Sequence, residues 1–160
     1  MAEHLGTFIT GRSEATRPLD VSGAHYMGRY NPIVTRFDLD AAQNDTLFIA
    51  MVPLDAVLSQ VVSEYETSAI GSSVTMDVGF ADDTELGISS KTDVLVDDAD
   101  ISSAGTGSLT SNIGVADRGK TVRDLLGLAA DVQGEAKMIA TLKGANPDTG
   151  DICFEQAVLR

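Results

Sequence analysis

Val74-Thr75-Met76-Asp77-Val78-Gly79-Phe80 places an apolar side chain at every second position. A period of two sets Val74, Met76, Val78 and Phe80 on one side of an extended strand, with Thr75, Asp77 and Gly79 on the other. A helix would scatter the same residues around its circumference, so the segment predicts a strand with one buried face. Ile33, Thr35, Phe37 and Leu39 alternate with Val34, Arg36, Asp38 and Asp40 in the same way. Between these two stretches lie a turn at Gln43-Asn44-Asp45, an apolar run from Thr46 to Val52 stopped by Pro53, and a mixed segment from Val57 to Thr67. The run at 46–52 is short enough for a strand buried on both faces, and Pro53 ends it because proline cannot donate to a ladder. Short strands cut by turn residues are the writing of an antiparallel sheet protein.

The remainder of the chain continues the pattern. Gly71-Ser72 turns into the strand at 74–80, Ala81 to Lys91 reads as a loop, and Thr92 to Ile101 as a further strand. Ser102 to Asn112 is rich in Gly, Ser and Thr and reads as an exposed excursion. Residues 119–134 show helical spacing at Val122, Leu125, Leu126 and Ala129, with Thr121 as a candidate N-cap and Gly127 interrupting. One or two helical turns, or an irregular strand, fit that segment. Two closing strands, Ala136 to Leu142 and Ile152 to Leu159, flank Asn146-Pro147-Asp148-Thr149-Gly150, which has Pro where a turn wants a fixed φ and Gly where it wants a positive one. That pairing predicts a hairpin. The fold expected is mainly β: an antiparallel β-sandwich or jelly-roll-like domain over 32–160, preceded by an extended N-terminal arm over 1–31. The arm is polar and punctuated by Gly6, Gly11, Gly23 and Gly28, with room for one short strand near Thr7-Phe8-Ile9-Thr10.

Charge divides the chain in the same place. The formal net charge is −13. Residues 1–36 hold Arg12, Arg17, Arg29 and Arg36 against Glu3, Glu14 and Asp20, so almost all the negative charge belongs to the body. A surface this acidic repels phosphate backbones, which argues against direct nucleic-acid binding. Cys153 is the only cysteine, so no intrachain disulfide can form and the fold must hold by packing, as suits a reducing compartment. The N-terminus has no basic region followed by an apolar stretch, so it does not read as a signal peptide. The longest apolar run, Leu47 to Leu54, falls far short of the roughly 20 residues that span a bilayer, and no membrane association is expected.

Residue types that carry chemistry are sparse. His4 and His25 both sit in the arm, a poor platform for a base that needs a positioned partner. Cys153 lies mid-strand between Ile152 and Phe154, where a small buried thiol is the ordinary case. Asp82-Asp83-Thr84-Glu85 and Asp97-Asp98-Ala99-Asp100 are rich in oxygen ligands for Ca²⁺, but neither has the spaced loop with a distal Glu that makes such a site specific. They read as solvated turns. Gly105-Thr106-Gly107 lacks the lysine, the preceding strand and the following helix of a phosphate loop. The reading is of a non-enzyme without cofactor or metal.

One resemblance is visible. Its residues are Phe37-x-Leu39-x3-Asn44-Asp45-Thr46, then Val52-Pro53-x3-Val57-Leu58, then Ile70-Gly71-x-Ser73-x-Thr75-x-Asp77-x-Gly79-x-Ala81-Asp82. Gly119-Lys120-x5-Leu126-Gly127-Leu128-Ala129 and Ala140-Thr141-Leu142-x-Gly144-Ala145-x3-Thr149-Gly150 complete it. In pattern and order, over roughly 33–159, this resembles a group of small virion proteins of tailed bacteriophages, commonly encoded near the major capsid protein. The resemblance implies a capsid decoration (cement) protein, made in the host cytoplasm and bound to the capsid exterior, often as trimers that bridge capsomers. The implied partner is the major capsid protein. No active-site residues come with it. On the physical side, Arg12, Arg17 and Arg29, with Tyr26 and Tyr30, are the candidate partner-binding residues, and deleting residues 2–31 is expected to weaken capsid binding while the domain still folds. Rival readings are a head-fibre base or tail component, a carbohydrate-binding β-sandwich, and an enzyme built from scattered carboxylates. The carbohydrate reading suffers from the absence of Trp, the usual platform for a sugar ring.

Overall fold

A computed structural model describes residues 3–5, 7–9, 30–38, 43–60, 63–147 and 150–159. Their strands are β1 (Glu3–Leu5), β2 (Thr7–Ile9), β3 (Tyr30–Asp38), β4 (Thr46–Pro53), β5 (Val57–Leu58), β6 (Glu64–Thr67), β7 (Val74–Phe80), β8 (Lys91–Asp100), β9 (Gly105–Ser108), β10 (Glu135–Gly144) and β11 (Asp151–Leu159). A 3₁₀ turn (Val115–Asp117) and one short helix, α1 (Val122–Leu126), interrupt them. One sheet runs β1-β4-β10-β7-β8, the other β2-β3-β11-β6-β9 with β5 also on β11. Neighbours pair antiparallel except β1, which lies parallel to β4. The expected mainly β sandwich is therefore the fold.

Of the alternation at 74–80, Val74, Met76, Val78 and Phe80 are all fully buried between the sheets as expected, but Asp77 and Gly79 on the other side are buried too, so β7 is covered on both faces beyond Thr75. Thr35 and Phe37 of β3 face the four apolar residues from the second sheet, while Arg36 and Asp38 are exposed. Phe37 meets Phe154 edge to face, with centroids 6.0 Å apart. The Thr35 hydroxyl donates to the Ile49 carbonyl at 2.9 Å, a buried hydrogen bond that joins the two sheets.

Four local expectations are revised. The run at 46–52 is not buried on both faces, since Met51 is exposed. Its pattern is broken because Ala50 pairs with Met138 and Phe48 with Ile139, leaving Ile49 as an extra residue in a bulge; Ile49 and Ala50 then both point inward. The segment from Val57 to Thr67 is two strands rather than one. Both β5 and β6 pair with β11, at Val158–Leu159 and Ile152–Glu155, and the Ser63 hydroxyl accepts from the Ala157 amide and from Gln156 Nε2 between them. The strands flanking Asn146–Gly150 do not form a hairpin. Within the first sheet β10 already has β4 and β7 on its two sides, so the chain crosses to the second sheet, where β11 pairs with β3 and β6; Asp148 and Thr149 lie outside the described residues. The excursion at 102–112 contains β9, paired with β6.

The ambiguous stretch at 119–134 resolves into a single helical turn. Thr121 and Asp124 form a reciprocal capping box, and Gly127, which weakened the helical pattern, terminates the helix in the left-handed conformation at φ 72°. Amides at Val122 and Arg123 donate to the carbonyls of Ala56 and Leu54, tying α1 to the chain between β4 and β5. Near the N-terminus, β1 and β2 lie on different sheets, so these two strands reach both layers of the sandwich.

Candidate interaction surface

Of the residues singled out for partner contact, Arg12, Arg17, Tyr26 and Arg29 lie outside the described residues. Tyr30 opens β3, and its backbone pairs in register with Leu159.

The acidic candidates divide. Asp82 accepts from the Ser90 amide, and Asp83 from the amides of Glu85 and Leu86, so both carboxylates close the loop between β7 and β8. Asp100 accepts from the Ser102 amide, and its hydrogen bonds to Ser102 hold its carboxyl below the ordinary range. Asp97 and Asp98 instead converge with Asp77, a residue sequence reasoning assigned only to the outer side of its strand; one carboxylate oxygen of each lies within 4.8 Å of the others. Register shifts in the β7–β8 ladder bring them together, and Asp98 sits at φ 49° with its amide donating to Asp77 Oδ1. Lys143 of β10 completes the group: its ammonium donates to Asp77 Oδ2 and Asp98 Oδ1, both at 2.8 Å. These bonds push the Lys143 pKa far above its usual value, so this amine stays protonated. A cation already occupies the mouth of the carboxylate cluster, and it is the protein's own.

Because the Asp77 side chain is 9% exposed and that of Lys143 37%, the pair is asymmetric: a nearly buried carboxylate relies on a half-exposed ammonium. Replacing Lys143 by Met strands that charge. The cost is expected at about 2 kcal/mol, below the usual range for a fully buried pair because solvent reaches Lys143. Asp77→Asn added to it keeps the acceptor for the Asp98 amide and should restore most of the loss in urea denaturation. The pH dependence follows from the raised lysine pKa. The stabilisation is complete below the ordinary lysine value of about 10.4 and is lost only as pH rises through the higher folded value. The gap between wild type and Lys143→Met should therefore stay constant from neutral pH to about 10.

On the outer face of the second sheet, Cys153 stands between Arg36 and Glu66 in cross-strand register. It is half-buried and faces outward, not into the core as its position between Ile152 and Phe154 suggested. Burial, then the Glu66 charge, raises its thiol pKa, which disfavours the thiolate. Arg36 pairs with Asp151 at 2.8 Å. Asp151 also bonds its cross-strand neighbour Asp38; this bond raises the Asp38 carboxyl and lowers Asp151. Arg36, Glu66, Thr67, Ser68, Ala104, Asp151 and Cys153 border an open groove of about 400 Å³. On the first sheet's outer face Lys137 lies over the Phe48 ring at 5.5 Å, beside exposed Met51.

Lys143 and Cys153 are both tuned away from nucleophilic reactivity, the lysine by its carboxylate partners and the thiol by burial. The pairings of Lys143 with Asp77 and of Arg36 with Asp151 were not legible in the sequence, because the partners are 66 and 115 residues apart.

The molecule is thus a mainly β, two-sheet sandwich with paired charges laid on its outer faces. No protein-family model matches the chain, and no curated protein matches it. Two solved structures align with it over most of its length. "Cyanophage Pam1 capsid asymmetric unit" aligns at 10% identity and a TM-score of 0.47, over 82% of this chain and 81% of that one. "Capsid of Ralstonia phage GP4" aligns at 16% identity and a TM-score of 0.47, over 81% and 84%. Among the described residues no helix is long and apolar enough to cross a membrane.

Proposed function

We propose that this chain is a virion structural protein that decorates and stabilises the outer surface of a tailed-phage icosahedral capsid, as trimers bridging capsomers, and performs no catalysis. The observation that carries the reading is where the residues of the sequence resemblance fall. Asn44, Gly71, Ser73, Gly119, Gly127 and Gly144 all take positive φ, between 65° and 125°. Gly79 lies against the backbone at Lys91–Thr92, where a Cβ has no room. The shared pattern therefore tracks the joints that steer the chain path, the part of a sequence that specifies a fold most directly. In this reading the acidic sandwich stays soluble through its charge, and Arg12, Arg17 and Arg29 with Tyr26 and Tyr30 grip the major capsid protein.

Deleting residues 2–31 would confuse the test, because it removes β1, β2 and the first residues of β3. Arg12→Gln, Arg17→Gln and Arg29→Gln together leave those strands intact. Purified protein added to emptied capsids of the phage that encodes it should co-sediment with the shell, add density at three-fold or local three-fold positions in cryo-EM maps, and raise the temperature of shell disruption. The triple variant should bind at least tenfold more weakly at low salt with an unchanged melting temperature. Density confined to the tail, or no shell binding by the wild type, rejects the proposal; undiminished binding by the variant rejects the arm's role.

A further inference from the structure

β9 closes one edge of the second sheet. Among the described residues it has a ladder partner on one side only, β6, and Gly105, Thr106 and Ser108 are exposed. A bare edge offers a row of unpaired N–H and C=O groups to any extended chain, and proteins blunt such edges with charge, proline, bulges or a covering loop. The first sheet's edge, β8, is treated in that way. It carries exposed Asp93, Asp97, Asp98 and Asp100 and slips register against β7. Asn112 also covers it, its amide donating to the Leu95 carbonyl at 2.9 Å and its side chain to the Asp93 carbonyl at 3.2 Å. Among the described residues β9 has none of these guards. It reads Gly-Thr-Gly-Ser and runs in unbroken register with Thr67–Glu64.

Its two glycines have different causes. A Cβ on Gly107 would stand 2.4 Å from the Tyr65 ring, so glycine is required there by packing. At Gly105 a Cβ would meet nothing within 4 Å, and φ lies outside the left-handed region. Glycine at such a strand position weakens the strand and, among the described residues, gains nothing in packing. Close approach of a second backbone is a recognised reason for a strand glycine.

The neighbouring strand says what kind of backbone. Glu66 pairs with Thr106 and Glu64 with Ser108, so two exposed carboxylates stand one strand inward, behind side chains too short to cover them. A strand added beyond β9 would lie about 10 Å from β6, within reach of long basic side chains laid across Thr106 and Ser108. We propose that the β9 edge accepts, by strand addition, an extended segment of a partner protein with Lys or Arg at alternate positions, the basic side chains pairing with Glu64 and Glu66. The inference is independent of the virion reading.

The test uses the full chain and a peptide of about ten residues alternating Thr and Lys, with an alternating Gly-Lys peptide of equal charge and an alternating Thr-Glu peptide as controls. Binding is read by fluorescence anisotropy, and its place by amide hydrogen exchange. The Thr-Lys peptide should bind, slow the exchange of amides within 105–108, and bind about tenfold more weakly to Glu64→Gln/Glu66→Gln. Gly105→Pro, which spoils the edge, should abolish the protection. If that variant does not fold, the carboxylate variant decides, since both its positions are exposed. Equal binding of the Gly-Lys peptide, protection elsewhere, indifference to the Glu changes, or occlusion of β9 by a second copy of this chain would each overturn the proposal.

Discussion

Gly144→Ala should be among the most damaging single-atom additions this protein can suffer, with a loss of about 4 kcal/mol or outright failure to accumulate. Two costs add there. Gly144 ends β10 at φ 80°, and an L side chain in that conformation costs about 1–2 kcal/mol. The new Cβ would also stand 2.1 Å from the Ser73 carbonyl oxygen, which is backbone and cannot swing aside. Relief requires moving the corner before β7, where Gly71 and Ser73 already take positive φ and Val74 pairs with Gly144. Overpacking of that kind commonly costs a further 1–3 kcal/mol. Gly127→Ala is the control: φ is similar, but nothing lies within 4 Å of the added carbon, so only the conformational cost of about 1–2 kcal/mol remains. Urea unfolding monitored by circular dichroism separates the two. If Gly144→Ala is no worse than Gly127→Ala, the close approach of β10 to the Ser73 corner is wrong.

Phe154→Ala should remove about 4 kcal/mol, the middle of the range for emptying a buried aromatic site. Phe154 is fully buried at the middle of β11, the strand with β3 on one side and β6 and β5 on the other. Its ring also meets Phe37 edge to face, a contact worth about 1 kcal/mol beyond area. Strands from three parts of the chain meet at this position, so neighbours have little freedom to collapse into the space left. For a domain of this size the corresponding drop in melting temperature is about 12 °C. Phe154→Leu should lose less than half as much, because it keeps most of the apolar volume. A loss under about 1 kcal/mol for Phe154→Ala would show that the ring is not a central contact between the sheets.

These two sites illustrate different degrees of legibility. Phe154 belongs to a closing strand that residue pattern alone placed at 152–159. Gly144 was visible as part of a motif, yet nothing local showed what presses on it, because Ser73 lies 71 positions earlier in the chain. The interaction surface was less legible still. Asp97 and Asp98 were seen as an acidic pair, but Asp77 and Lys143 join them only once β7, β8 and β10 are side by side. β9 was hidden because Gly-Thr-Gly-Ser has neither alternation nor strand propensity, and pairs only because β6 offers it a register.

By itself the sequence determined what depends on neighbours along the chain: the inward-facing side of β7, period-two burial in β3, the stop at Pro53, the candidate cap at Thr121, and a mainly β body with its negative charge beyond residue 36. The tertiary structure alone decided what depends on neighbours in space. It divided the strands between two sheets, sent β10 and β11 to different layers, bulged β4 at Ile49, turned Cys153 outward and gave Asp77 its lysine. The physical reason is that local pattern specifies which face of a strand is buried, whereas ladder partners are chosen by the packing of the whole chain.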